Sequence, residues 1–253
     1  MTASILLTGG TGTLGRHVTP LLLDAGCKVR VLSRTSRASG DGVEYVTGDL
    51  LEDEGVGPAV DGAETVLHLA GGPKGDAEAT ANLLRAASRA GVRHFVYISV
   101  IGADRIPVGY FRSKAAAERA VADSGLPWTT LRAAQFHDLV LTVVRKMALL
   151  PVIPIPGGVR CQSVDSREVA ARLVQLTLGE PAGLVPDLAG PKVYGLGELS
   201  RGYLRARGRH RLTVPVRMPG KAGRAYRAGD NLSFKGTDLG RRTWEEFLAE
   251  RVG

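Results

Sequence analysis

Cysteine is scarce in this chain. Cys27 and Cys161 are the only two in 253 residues. They stand far apart and make no metal or redox spacing, so the expected compartment is the reducing cytoplasm. Long apolar runs are missing too: none approaches the roughly 18 residues of a membrane span, and no membrane partner is expected. Met1 to Leu7 has no basic n-region and no cleavage site, so no secretion signal is read there. There is no internal repeat, no low-complexity linker, no metal-ligand cluster and no assembled Ser-His-Asp arrangement. Hydrophobic residues at 44% against 23% charged exclude a disordered, collagenous or coiled-coil chain. The length suits one large domain, or one domain with a small appendage.

The net charge of +8 invites a polyanionic partner until it is located. Residues 1–191 carry 19 basic and 19 acidic side chains, whereas residues 192–253 carry 14 and 6. The surplus concentrates between Arg201 and Arg227, where nine basic residues meet no acidic one. Few aromatics interleave there for base stacking, and a basic run of this kind reads as a solvated face. Nucleic acid is not the expected partner.

Strand-length apolar runs alternate with helical patterns, the mark of a parallel α/β sheet. Strands are expected at Ser4–Thr8, Lys28–Ser33, Val43–Thr47, Thr65–Leu69, Arg93–Ser99 and Trp128–Leu131. Helices are expected at Leu14–Ala25, Asp76–Ala90 and Tyr110–Ser124, stopped by Gly26, Gly91 and Gly125. After Leu150 the pattern changes. The prolines of Pro151–Pro156 lack ladder donors and predict a loop or edge strand. Asp165–Leu178 reads as a helix with Asp165 and Glu168 at capping-box spacing. Leu212, Val214 and Val216 are read as alternating with polar positions, which predicts a strand with one solvated face, and Pro215 puts it at an edge. Glu198–Arg207 and Trp244–Glu250 complete the helices. Residues 1–150 are thus expected to form the main domain and 151–253 a smaller lobe, partly interleaved with it.

The chemistry begins at Thr8-Gly-Gly-Thr-Gly-Thr-Leu-Gly15. Gly9, Gly12 and Gly15 fall between a buried strand and a helix, where glycine permits a tight turn, close backbone approach to a pyrophosphate, and helix–sheet packing. The helix N-terminus then offers N–H groups and a positive dipole end. Gly9, Thr11, Gly12, Thr13, Leu14 and Gly15 are therefore candidate phosphate contacts. At the end of the second strand an acid would accept from a ribose 2′-hydroxyl; this chain has Ser33-Arg34-Thr35-Ser36-Arg37 instead. With no carboxylate and two guanidiniums, Ser33, Arg34 and Arg37 favour NADP(H), whose extra phosphate arginine grips bidentately. Asp49 and Leu50 are placed near the adenine, and Leu69, Ala70 and Gly71 beneath the ribose and nicotinamide side.

These stretches, with Phe95-Val-Tyr-Ile-Ser99 and Tyr110-x-x-x-Lys114, resemble the short-chain dehydrogenase/reductase superfamily. The loose glycine loop, the short gap to Tyr110 and the Pro151-rich continuation are similar to its atypical, NmrA-like branch. The resemblance implies a doubly wound Rossmann parallel sheet with a small C-terminal α+β lobe over the substrate side. Tyr110 and Lys114 share a helix face. A phenol can protonate a carbonyl oxygen as hydride arrives at carbon, and a neighbouring ammonium would lower its pKa. The family's manner also puts Lys114 on the cofactor ribose. Where the family carries a hydroxyl after the fifth strand this chain has Val100, so either Ser99 serves from one residue earlier or the hydroxyl is absent. Asn82 is expected to be solvated or to bond backbone. Gln135, Phe136 and His137 follow the sixth strand at the carboxyl edge, and with Met147 they are candidate substrate-pocket residues.

Two readings follow. The first is an NADPH-dependent oxidoreductase reducing a ketone, quinone or similar conjugated carbonyl of a small molecule. The second is an NADP-sensing, non-catalytic regulator acting through protein contacts, as NmrA-like relatives imply. Monomer and homodimer both remain open.

Overall fold

A computed structural model describes residues 3–72 and 75–252. In chain order the first elements are β1 (Ser4–Thr8), α1 (Gly15–Asp24), β2 (Lys28–Ser33), β3 (Val43–Thr47), α2 (Val56–Val60), β4 (Thr65–His68), α3 (Asp76–Arg89) and β5 (His94–Val100). Then come α4 (Gly109–Ala122), β6 (Trp128–Ala133), α5 (His137–Met147), β7 (Val152–Pro156), β8 (Arg160–Cys161), α6 (Ser166–Thr177) and β9 (Gly183–Leu184). The chain closes with β10 (Leu188–Ala189), β11 (Tyr194–Gly195), α7 (Leu196–Ala206), β12 (Leu212–Val216), α8 (Gly220–Ala228), β13 (Asp238–Leu239) and α9 (Trp244–Val252).

The main sheet runs β3-β2-β1-β4-β5-β6-β10-β13, with β9 also on β6. The ladders β1–β2, β1–β4, β2–β3, β4–β5, β6–β9, β6–β10 and β10–β13 are parallel. This is the doubly wound Rossmann order: the chain winds from β1 outward to β3, then returns to lay β4 on the other side of β1. The crevice at that reversal, outside the carboxyl ends of β1 and β4, is where such sheets bind ligands. Central strands are buried on both faces, as parallel sheets require. Every residue of β5 is buried, and so are Ile5, Leu6 and Leu7 of β1.

Two compact units share the chain. The first comprises residues 1–99, 109–131 and 169–185; the second comprises 100–108, 132–168 and 186–253. The core of the first packs Leu6, Val66, Phe95 and Tyr97 of the sheet against Val60, Leu83, Ala117 and Val121 of α2–α4. Each large apolar side chain so buried contributes about 1.5–3 kcal/mol. Asn82 belongs to this unit and bonds backbone, as expected: its Nδ2 donates to Leu50 O at 2.8 Å and to Leu51 O at 3.2 Å.

In the second unit α5, α7 and α9 enclose Val140, Ile153, Leu199, Trp244 and Phe247. Two local expectations are corrected there. Asp165 does cap α6, accepting from Arg167 N at 2.9 Å, but Glu168 does not complete a box. Its carboxylate accepts instead from the backbone N–H groups of Arg241 and Arg242. The glutamate half of such a box does form at α7, where Glu198 accepts from Gly195 N at 2.6 Å, glycine having no side chain to return the bond. Strand β12 lies in a two-stranded parallel sheet with β7, so Pro215 is at an edge. It does not have one solvated face, however: Leu212, Val214, Pro215 and Val216 are all exposed, and only Thr213 is half-buried.

Of the nine basic residues from Arg201 to Arg227, all but Arg227 are exposed. The Arg227 guanidinium donates to Met218 O at 2.8 Å. No helix of the described residues is long and apolar enough to cross a membrane.

Candidate functional site

The glycine loop occupies the reversal point of the sheet, and each glycine has its own reason. Gly9 has a left-handed backbone (φ +72°), and a Cβ there would stand 2.6 Å from Ala70 N. The loop after β1 therefore presses directly on the loop after β4. At Gly15 a Cβ would meet Gly10 Cα and Gly9 O at 2.4 Å, so this glycine lets α1 start against the turn. Gly12 is exposed, and a Cβ there would meet only Gly9 O, at 3.3 Å; nothing in the protein needs that space. Leu14 at the N-cap of α1 makes no side-chain cap, and the first turn holds no acid. The positive end of the helix is thus left for an anion.

Beneath the loop lies a directional hydrogen-bond chain. Ala70 N donates to Thr8 Oγ1 at 3.2 Å, and Thr8 Oγ1 pairs with His68 Nδ1 at 2.6 Å. His68 Nε2 pairs with Thr80 Oγ1 at 3.1 Å, whose hydroxyl donates to Asp76 O at 2.6 Å. Because the Thr80 proton is spent on Asp76 O, His68 must donate from Nε2 and accept at Nδ1. Burial, with Lys114 nearby, pulls the His68 pKa down to about 3. The ring stays neutral and acts as a fixed strut between β1, the β4 loop and α3.

Lys114 on α4 is 4% exposed. Its Nζ donates to Tyr97 Oη at 3.1 Å and Ile98 O at 3.2 Å, and pairs with Asp76 Oδ2 at 3.3 Å. Tyr97 Oη donates to the same Oδ2 at 3.0 Å. Burial holds the Lys114 pKa below the ordinary lysine value, against the opposing pull of Asp76. Burial and the same carboxylate push the Tyr97 phenol far up. Gly71 covers this cluster: a Cβ there would stand 2.8 Å from Asp76 Oδ1 and 3.0 Å from Lys114 Nζ.

Tyr110 shares α4 with Lys114, yet its phenol is not lowered by the ammonium. Although 36% of the residue is exposed, burial and Asp76 push it up to about 12. The expected tuning is therefore corrected: the lysine charge is engaged by Asp76, and Tyr110 remains a protonated donor at neutral pH. Ser99 is buried with an unpartnered Oγ among the described residues, and Val100 is buried.

At the end of β2 the Ser33 hydroxyl is engaged locally, donating to Thr35 O at 2.9 Å and accepting from Thr35 N at 3.3 Å. It shapes the turn that carries Arg34 and Arg37, both exposed. Arg37 lines an open cavity of about 380 Å³ together with Asp41, Val43 and Tyr45. Asp49 Oδ1 accepts from Leu51 N at 2.8 Å, holding the turn after β3.

The candidates after β6 fare differently. His137 is fully buried, its Nδ1 pairs with Ser163 Oγ at 3.0 Å, and its Nε2 faces Arg242 O at 3.3 Å. Its ring packs on Trp244 and Phe247. Both nitrogens being spent, it is a core residue and not a pocket residue, which corrects that expectation. Gln135 Oε1 faces Cys161 Sγ at 3.7 Å, and Met147 packs on the α5–α7–α9 core. Phe136 is half-buried at the N-cap of α5.

A parallel sheet with a glycine loop at its reversal point and an uncapped helix behind it defines a dinucleotide-binding Rossmann protein. The chain belongs to the NAD(P)H-binding family, whose model matches residues 9–176, in keeping with the NmrA-like resemblance of its motifs. The (4-alkanoyl-5-oxo-2,5-dihydrofuran-3-yl)methyl phosphate reductase of Streptomyces griseus is 33% identical over 215 residues, spanning 81% of this chain and 74% of that protein. The NAD(P)H azoreductase of Xenophilus azovorans is 29% identical over 212 residues, with the same coverage of 81% and 74%. Among solved structures, an NADPH-dependent quinone oxidoreductase of Escherichia coli complexed with NADPH superposes with a TM-score of 0.84 at 20% identity. The match covers 98% of this chain and all of that one.

Proposed function

We propose that this chain is an NADPH-dependent oxidoreductase that reduces a ketone, quinone or similar conjugated carbonyl of a small molecule. The observation that carries the reading is the buried Lys114 under Gly71, at the carboxyl edge beside the glycine loop. The relatives support it: a reductase of an alkanoyl-dihydrofuranone, an azoreductase and a quinone oxidoreductase are named for electron-poor, conjugated acceptors. The glycine loop and the N-terminus of α1 bind the pyrophosphate. Arg34, with Arg37 beside it, takes the 2′-phosphate, and Asp49 and Leu50 lie by the adenine. Lys114 donates to a ribose hydroxyl, and Leu69 to Gly71 form the floor beside it. When bound, NADPH supplies the hydride. Tyr110, kept protonated, donates a hydrogen bond to the substrate oxygen, which suits reduction better than proton abstraction from an alcohol.

Two outcomes test this. Arg34→Asp should erase or reverse the preference for NADPH over NADH, a change of roughly ten- to hundredfold for one charge-assisted phosphate contact. Equal affinities in the unaltered chain would overturn the NADP assignment. NADPH oxidation across a carbonyl and quinone panel should reveal turnover, and Tyr110→Phe should lower it roughly a hundredfold with NADPH affinity retained. Tight NADPH binding without turnover on any acceptor would favour the sensor reading instead.

A further inference from the structure

Asp76 stands in none of the spacings that mark the site, yet among the described residues one of its carboxylate oxygens, like Ser99 Oγ, is left without a partner there. The residue is 3% exposed. Its Oδ2 takes both the Tyr97 hydroxyl and the Lys114 ammonium, while its Oδ1 has no hydrogen-bond partner among the described residues. A buried carboxylate oxygen in that state calls for a donor. The space in front of it is not random: Oδ1 and Lys114 Nζ both lie within about a hydrogen-bond length of the point where a Gly71 Cβ would stand, at 2.8 and 3.0 Å. Glycine keeps that volume clear. An acceptor and a donor facing one small volume match a vicinal diol, of which one hydroxyl donates and the other accepts. A dinucleotide with a phosphate on its adenosine 2′-oxygen has one free diol left, that of the nicotinamide ribose.

We infer that Asp76 is a cofactor-binding residue, accepting at Oδ1 from one hydroxyl of the nicotinamide ribose, while the third N–H of Lys114, which Tyr97 Oη and Ile98 O leave uncommitted, donates to the other. This rests on the reading of the chain as an NADP(H) protein. Asp76 thus does two things at once: through Oδ2 it positions the ammonium, and through Oδ1 it binds the sugar.

The test separates these roles. In Asp76→Asn, Tyr97 and Lys114 demand the amide oxygen at the Oδ2 place, so an NH2 donor replaces the acceptor at Oδ1. In Gly71→Ala both charges remain, and a methyl takes the volume 2.8 Å from Asp76 Oδ1, which must give way. The full chain is titrated calorimetrically with NADPH and with 2′,5′-ADP, which retains the 2′-phosphate but lacks the nicotinamide ribose. Both variants should bind NADPH roughly ten- to hundredfold more weakly, the range for a hydrogen bond to a charged group, with 2′,5′-ADP affinity unchanged. Undiminished NADPH affinity, or equal losses for the two ligands, would overturn the assignment. Should Asp76→Asn fail to fold, Gly71→Ala decides alone. An unaltered chain that binds neither ligand would overturn the underlying NADP(H) reading, and this inference with it.

Discussion

Lys114→Met should cost the fold about 3–5 kcal/mol, the usual penalty for removing one partner of a buried ion pair and leaving the other uncompensated. Lys114 and Asp76 side chains are 5% and 1% exposed, so water cannot take the place of the missing partner. Asp76→Leu should be as damaging, because the ammonium would then keep only Tyr97 Oη and Ile98 O. The double variant should recover much of either loss, since a neutral pair of similar volume carries no desolvation penalty. Denaturant unfolding of the four proteins checks this, and additive losses would remove the pair as the source.

The same series has a pH signature. The folded Lys114 pKa is already below its ordinary value, near 10.4 when unfolded. Above that lowered pKa the unfolded state binds more protons, so stability rises with pH until the ordinary value is passed. Asp76→Leu removes the opposing upward pull and lowers the folded pKa further. Its deficit should therefore be greatest at neutral pH and shrink as the medium is made alkaline. A deficit constant from pH ~6 to ~10 would mean that the ammonium charge is not its cause.

The second large effect concerns the glycine loop, where two substitutions that look alike should act differently. Gly15→Ala drives a methyl into Gly9 O and Gly10 Cα at 2.4 Å. Backbone cannot yield as a flexible side chain does, so overpacking of about 1–3 kcal/mol is expected. NADPH binding should fall more than roughly a hundredfold as the turn is displaced. Gly12→Ala meets only Gly9 O at 3.3 Å. Its melting temperature should stay near that of the unaltered chain, while NADPH affinity still drops because the methyl takes space meant for phosphate. Thermal melts beside cofactor titrations distinguish the two. Equal melting losses would place both glycines in the scaffold.

What could be read from the sequence follows from how local each signal is. Strand positions, the glycine loop and the Lys114 helix face rest on spacings within one or two elements, and their elements appear where expected; the doubly wound order followed only from the family resemblance. Asp76, Tyr97, His68, Thr8 and Thr80 were invisible as a group because pairing of β1, β4 and β5 brings them together from distant positions. In the sequence Asp76 is only the first residue of an expected helix, and it does lie in the first turn of α3. The one available signal was His68, a titratable residue closing the fully buried run of β4. His137 misled for the converse reason. A histidine after a Rossmann strand resembles an acid–base group until Ser163 and Arg242, from far along the chain, occupy both ring nitrogens. The alternation in β12 was legible but does not separate a covered face from a solvated one, because its two-stranded sheet leaves Leu212, Val214, Pro215 and Val216 exposed together.

The first unit is assembled from three stretches of chain, the last of them residues 169–185. That stretch supplies β9, which pairs with β6 through Thr129 and Gly183, and Thr129 Oγ1 accepts from Ala182 N at 2.9 Å. A ribosome that has released only the first 150 residues has therefore not yet delivered all of the nucleotide-binding sheet. A gene cut at the same place would specify a sheet with an unpaired edge, prone to aggregation, and not a portable cofactor-binding module.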